Sequence, residues 1–149
     1  MSVSAHLSWY EGLKFRTQIE GRSLQLDSSE KMEHAFTPME LFLLALAGCT
    51  AMDVQWILER QHQKIDLFEI NVHGKRRDDD PRYYESIDLE YVFAGDAVRK
   101  DAVERAIRLS QDKYCSVRAM VNDKVKFNIS YRIENESDSE KFVFQTKSP

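Results

Sequence analysis

The sequence lacks an excess of basic charge. Its 149 residues include 21 Lys and Arg against 25 Asp and Glu, which gives a formal net charge of -4. The densest basic run, residues 75–77, is followed at once by three aspartates. Because binding to nucleic acid needs a clustered basic surface, this balance argues against a nucleic-acid partner.

A secretion signal and a long apolar run are also missing. The first residues, MSVSAHLSWYEG, contain neither the basic region nor the apolar region of a signal peptide. Unbroken apolar sequence extends only over Leu41–Ala47, far short of the roughly 20 residues of a membrane span. We therefore expect a soluble, cytoplasmic protein with no membrane partner.

Local patterns that mark common active sites are scarce. The four histidines are far apart in sequence and have no metal-ligand spacing. The chain contains neither a glycine-rich phosphate loop nor a GxSxG motif. We expect no metal and no organic cofactor, and two cysteines remain as the candidate reactive groups.

The hydrophobic pattern predicts an α+β fold with antiparallel sheet in the order β-β-β-α-β-β-α-β. Alternating apolar residues predict strands that start near Val3, Leu13, Leu24, Phe68, Ile87 and Val125. The charged segment 73–82 is predicted to be the connection of a hairpin, and a second helix is expected from Val98 to near Asp112. We assign residues 1–132 to a single domain and 133–149 to an acidic, mobile tail.

The strongest helix signal is the stretch TPME. Thr37 is the expected N-cap, Pro38 occupies the first helical position, and Glu40 completes a capping box. The helix should extend to about Gln61. Its first three turns are apolar on every side, which one small domain can hardly cover, so we expect a homodimer that packs this helix against its copy.

Cys49 lies in the middle of this helix and has two interpretations. A free cysteine packs well as a small buried hydrophobe. A reactive thiolate at this position would need a cation, because Asp53 one turn away would disfavour a second negative charge. Candidate cations are Lys14, Arg16 and Arg118, the last of which follows Cys115 by three residues.

Two segments carry a resemblance to a known family. The stretch TPMELFLLALAGCTAMDV, together with KYCSVRAM around the second cysteine, resembles the OsmC/Ohr family, the osmotically inducible and organic-hydroperoxide-resistance proteins. Within it the sequence is most similar to the YhfA-like subgroup. The resemblance extends from the first strands to the strand that ends near Arg132.

The resemblance implies a fold in which antiparallel sheets wrap long central helices in an intertwined homodimer. It implies that Cys49 attacks an organic hydroperoxide and that Cys115 resolves the sulfenic acid to a disulfide, which a dithiol reductant restores. Such chemistry serves defence against oxidative stress and needs no cofactor. In the peroxidase members the arginine beside the thiol lies in the first hairpin turn, which leaves Lys14 or Arg16 as its counterpart here. Together with Arg118, which is a candidate by its position one turn after Cys115, Arg16 is a candidate thiolate-stabilising residue.

The sequence departs from the peroxidase pattern at one position. Peroxidase members have a glutamate ten residues before the reactive cysteine, and Met39 occupies that position here. Glu40 is the neighbouring carboxylate, but its place in the helix puts it on the side opposite Cys49, and the capping box accounts for it.

This departure leaves a second function open. The protein could be a binding module for a small apolar ligand or a redox sensor, with the cysteines lining the site. A third interpretation, a hot-dog-fold thioesterase, is weaker because that fold has no second helix between its strands.

Overall fold

The computed structural model describes residues 1–29, 34–135 and 138–144. The chain forms two compact units, one up to Phe42 and one from Leu43 onward. The elements are β1 (His6–Glu11), β2 (Lys14–Ile19), β3 (Arg22–Leu26), α1 (Pro38–Arg60), β4 (Leu67–Arg76), β5 (Tyr84–Ala94), α2 (Lys100–Leu109), α3 (Ser116–Met120), β6 (Lys126–Asn135) and β7 (Asp138–Phe144). The predicted α+β class is confirmed.

The N-terminal unit contains an antiparallel sheet in the order β1-β2-β3. Glu20 and Gly21 join β2 to β3 with φ angles of 48° and 80°. Positive φ at both central residues is the property of a type I′ turn, whose twist matches that of the paired strands. The three predicted strands are present, although β1 begins three residues after Val3.

The start of α1 has the predicted capping box. The Thr37 hydroxyl accepts a hydrogen bond from the Glu40 backbone N–H at 3.2 Å, and Glu40 Oε2 accepts from the Thr37 backbone N–H at 2.8 Å. Such a cap contributes about 1 kcal/mol to helix stability. The interpretation of Glu40 as a helix cap is confirmed.

Helix α1 is buried along one stripe. The buried residues recur every three or four positions: Leu46, Ala47, Thr50, Val54, Ile57 and Leu58. On other sides Leu44, Met52 and Trp56 keep 51%, 76% and 47% of their surface exposed. By length and composition alone this helix could cross a membrane, a test that the core helix of a soluble protein also passes.

The C-terminal unit contains a sheet in the order β4-β5-β6-β7. On β5 the alternating side chains are fully buried: Ile87, Leu89, Tyr91 and Phe93. The pairing of β5 with β6 is parallel, whereas the other two pairings are antiparallel. This parallel pair departs from the expected antiparallel sheet, because the helices between β5 and β6 form a crossover connection.

The hairpin connection predicted at residues 73–82 begins later in the structure, so its predicted start is wrong. Strand β4 continues to Arg76, and His73 and Lys75 pair with Asp88 and Ser86 of β5. Charged residues suggested a loop, but in this strand they alternate with inward-facing positions. Gly74 lies within this strand, and the Tyr84 ring packs over it so closely that no larger side chain would fit at this position. The connection covers only residues 77–83.

The second predicted helix is present as α2, which passes into one turn of π-helix at Ser110–Tyr114. The short helix α3 was not predicted. The tail predicted at 133–149 includes the end of β6 and the strand β7, which pairs with β6. Residues 136–137 and 145–149 of that tail lie outside the described residues.

Candidate functional site

Helix α1 contributes two groups to the candidate site. Cys49 and Asp53 are four residues apart, so they lie on the same face of the helix, one turn from each other. Both side chains are half-buried. The face that carries them belongs to the C-terminal unit and is reached by solvent.

The chain after α2 contributes Cys115. The turn of π-helix ends at this residue, and the Cys115 backbone N–H donates to the Ser110 carbonyl at 2.9 Å, five residues back. Single π-turns are frequent at functional sites. Cys115 is the N-cap of α3, and its Sγ accepts from the Arg118 backbone N–H at 3.4 Å.

These elements bring three acidic groups together. The Sγ atoms of Cys49 and Cys115 and a carboxylate oxygen of Asp53 all lie within 4.8 Å of one another. Both cysteines are free thiols. Two sulfurs that are 66 positions apart in the sequence therefore lie at one site, as the resemblance to the OsmC/Ohr family implies.

The two thiols differ in their environment. Cys115 keeps only 3% of its surface exposed, whereas Cys49 is half-buried. Burial raises the pKa of Cys115 to about 12, and the Arg118 amide acts in the opposite direction. The hydrogen bond that the Cys115 thiol donates to the Cys49 sulfur adds to the increase, as do the charges of Cys49 and Asp53. Cys115 is therefore protonated at neutral pH, and Cys49 is the more accessible sulfur.

The raised pKa of Cys115 predicts a loss of stability at alkaline pH. The unfolded thiol ionises above its ordinary pKa of 9.0, while the folded thiol keeps its proton until about pH 12. Because the unfolded state then binds fewer protons, the free energy of unfolding should fall between these pH values. Urea denaturation of the reduced protein at pH 8 and pH 10.5 measures this fall, and Cys115→Ala should reduce it. Equal falls in the two proteins would contradict the prediction.

A chain of buried hydroxyl groups supports Asp53. The Ser110 hydroxyl donates to Asp53 Oδ2 at 3.0 Å, and Thr50 Oγ1 lies 2.7 Å from both Ser110 Oγ and the Tyr91 hydroxyl. Since an ionised carboxylate only accepts, the order of donation is Tyr91 to Thr50 to Ser110 to Asp53. Gln111 Nε2 donates to both Thr50 Oγ1 and the Tyr91 hydroxyl. This network fixes the carboxylate beside the thiols.

Sequence reasoning missed most of this network. Asp53 was noted only as an unfavourable neighbour of Cys49, and Thr50, Ser110 and Gln111 were not identified. One signal was present: Thr50 is a polar residue in an apolar stretch of helix, and a buried hydroxyl requires a partner.

The candidate cations occupy different positions. The Arg118 guanidinium lies over the Phe127 ring at 4.0 Å, so this residue reaches Cys115 through its backbone N–H. Arg16 belongs to the N-terminal unit, where it lies over the Tyr10 ring at 5.0 Å. In the part of the chain that the structure describes, Asp53 forms no salt bridge.

Comparison with known proteins gives consistent similarities. The model of the OsmC-like protein family matches residues 29–130. Protein YhfA of Escherichia coli strain K12 is 34% identical over 132 residues, which cover 88% of this chain and 98% of the relative.

Solved structures show the same fold. A hypothetical protein from Aquifex aeolicus is similar with a TM-score of 0.82 and 31% identity, over 90% of this chain and 97% of that one. The organic hydroperoxide resistance protein OhrB of Bacillus subtilis gives a TM-score of 0.60 at 12% identity, over 88% and 98% of the two chains. The second similarity concerns the fold alone.

Proposed function

Because the chain belongs to the OsmC-like protein family, we propose that its two cysteines reduce organic hydroperoxides. Both the resemblance to the OsmC/Ohr family, with its YhfA-like subgroup, and the OsmC/Ohr-like fold are confirmed. Helix α1 is then the core helix of a small soluble fold. The observation that carries the proposal is the meeting of one accessible thiol, Cys49, with one buried thiol, Cys115.

The proposed reaction has two steps. The Cys49 thiolate attacks the terminal oxygen of the hydroperoxide, the O–O bond breaks, and the alkoxide takes a proton to leave as the alcohol. The Cys115 sulfur then attacks the Cys49 sulfenic acid, and the hydroxide that leaves takes the Cys115 proton to form water. Two thiols and one hydroperoxide give one disulfide, one alcohol and one water. A dithiol reductant restores the two thiols by exchange.

Accessibility supports this division of roles. The attacking sulfur has to meet a substrate from solvent, and Cys49 is half-buried while Cys115 is enclosed. The resolving sulfur has to reach only the sulfenic acid beside it. A protonated, enclosed Cys115 is protected from oxidation until Cys49 has reacted.

The proposal includes a homodimer in the cytoplasm. Leu44, Met52 and Trp56 expose apolar surface on α1, and a second copy of this helix would cover such a surface. In that assembly Arg16 is the candidate cation for the Cys49 thiolate, while Arg118 stabilises the Cys115 sulfur through its amide. A reducing compartment would keep the thiols available for the next reaction.

A second candidate function is a binding or redox-sensing module. It is favoured by Met39 in place of the peroxidase glutamate and by the engagement of Glu40 in the helix cap. A groove of about 440 Å³ beside α1 could hold a small apolar ligand, and its lining residues are Ala51, Met52, Gln55, Trp56, Glu59 and Phe68. In such a module Cys49→Ser would leave ligand affinity unchanged within a few-fold, whereas in a peroxidase it would abolish activity.

Oxidation of the reduced protein with an alkyl hydroperoxide tests the proposal. We expect both thiols to disappear and a Cys49–Cys115 disulfide to form, because the sulfurs are already close together. Mass spectrometry of proteolytic peptides identifies the crosslinked pair. Thiols that persist under conditions that oxidise a known hydroperoxidase would reject the catalytic role and favour the binding module.

A further inference from the structure

We propose that Cys49, Asp53 and Cys115 bind one thiophilic divalent cation, Zn²⁺ above all, and that the bound ion reversibly blocks the thiol pair. The metal site itself is inferred from the positions of the three ligand atoms. Only its regulatory effect rests on the proposed function.

The arrangement of the three ligand atoms fits zinc. Two sulfurs and one carboxylate oxygen lie within 4.8 Å of one another. In a tetrahedral site with Zn–S bonds of about 2.3 Å and Zn–O bonds of about 2.1 Å, neighbouring ligand atoms are roughly 3.5–3.8 Å apart. The observed separations of at most 4.8 Å exceed these values by about 1 Å, so binding would draw the three ligand atoms slightly closer together. Thiolates favour zinc over magnesium or calcium, which prefer oxygen ligands.

The negative charge of the Asp53 carboxylate favours a cation at this site. Asp53 has no ion-pair partner among the described residues, and its hydrogen bond comes from a neutral hydroxyl, that of Ser110. A zinc ion would deprotonate both thiols and release two protons to solvent. The resulting two thiolates and one carboxylate would surround a doubly charged ion, which offsets most of their mutual repulsion.

The surroundings of the three ligands resemble those of a metal site. Hydrogen bonds from outside normally orient metal ligands, and two of the three ligands here receive one. Ser110 donates to Asp53, and the Arg118 amide donates to Cys115 Sγ. Three protein ligands leave a fourth position, which water can take because Cys49 lies at the solvent side.

Metal binding and disulfide formation exclude each other. In the zinc form the sulfurs are held apart by the ion, whereas a disulfide needs an S–S distance of about 2.05 Å. Oxidation of the zinc form by a hydroperoxide would consume two protons and yield free Zn²⁺, the disulfide, the alcohol and water. Zinc should therefore inhibit the reaction, and a chelator should restore it.

Competition with a chromophoric chelator measures zinc binding by the reduced protein in the absence of oxygen and hydroperoxide. We expect one zinc per chain. Loss of a residue that only orients a metal ligand costs about 10–100-fold in metal affinity. Asp53 is itself a proposed ligand, so Asp53→Asn should weaken zinc binding at least about tenfold. Cys49→Ser and Cys115→Ser should weaken it further. Glu69→Gln, which removes an exposed carboxylate from β4 of the same unit, is the matched control and should bind as the unaltered protein does.

Cobalt provides a second readout. Co²⁺ takes the same ligands, and its visible absorption reports thiolate coordination and tetrahedral geometry. Loss of the cobalt–thiolate absorption in Cys49→Ser would support the site. This readout remains useful if the variant is less stable than the unaltered protein, because it reports the ligands directly. The proposal is overturned if the unaltered protein binds no zinc, or if Asp53→Asn and both serine variants bind it with unchanged affinity. A protein that binds zinc but leaves hydroperoxides intact would reject the proposed function and retain the site.

Discussion

Cys49→Ser is expected to lower hydroperoxide reduction at least about a thousandfold, because it removes the sulfur that forms the first bond to oxygen. A serine hydroxyl has nearly the size of a thiol but cannot carry the oxygen as a sulfenic acid. The fold should persist, since Cys49 is only half-buried. Steady-state consumption of an alkyl hydroperoxide with a dithiol reductant measures the loss.

Cys115→Ser is the matched control for this experiment. It should still consume one hydroperoxide per chain, and the sulfenic acid on Cys49 should then persist because no thiol resolves it. A reagent specific for sulfenic acids would label Cys49 in this variant. Equal activity of Cys49→Ser and the unaltered protein, or a loss only in Cys115→Ser, would show that the roles are assigned wrongly.

Phe93→Ala is expected to destabilise the C-terminal unit by about 3–5 kcal/mol, the usual cost of removing a buried aromatic ring. Phe93 is fully buried on β5, and its ring stacks on Phe68 with the centroids 4.6 Å apart. The substitution would remove this contact and leave a cavity. Since small domains have a total stability of about 5–15 kcal/mol, a large part of it should be lost.

The midpoint of urea denaturation measures this change, and Phe93→Leu is its control. Leucine keeps much of the apolar area, so it should cost less than half as much as alanine. Equal costs for both variants would indicate that ring stacking, and not buried area, dominates. A shift below about 1 kcal/mol in Phe93→Ala would contradict the buried position.

Local sequence signals predicted much of the fold. Thr37 and Glu40 form a sequence pattern that predicts the start of α1, and the structure has the reciprocal hydrogen bonds of this capping box. Alternation along β5 predicted its buried face, because a half-buried strand places every second side chain in the core. Both signals depend on residues close together in sequence.

Features that depend on distant residues were not predictable in the same way. Strand alternation does not reveal whether β6 pairs with β5 in the parallel or the antiparallel direction. The turn of π-helix before Cys115 has no simple sequence pattern, yet it sets the position of that thiol. Nor could the sequence show that Ser110 lies against Asp53, 57 positions away.

Titration of the reduced protein with an alkyl hydroperoxide, followed by free-thiol counting and peptide mapping, tests the central claim most directly. Adding one equivalent per chain should remove both thiols and give one disulfide between Cys49 and Cys115, with one equivalent of alcohol released. Thiols that remain free after several equivalents, or a disulfide only between different chains, would contradict the account.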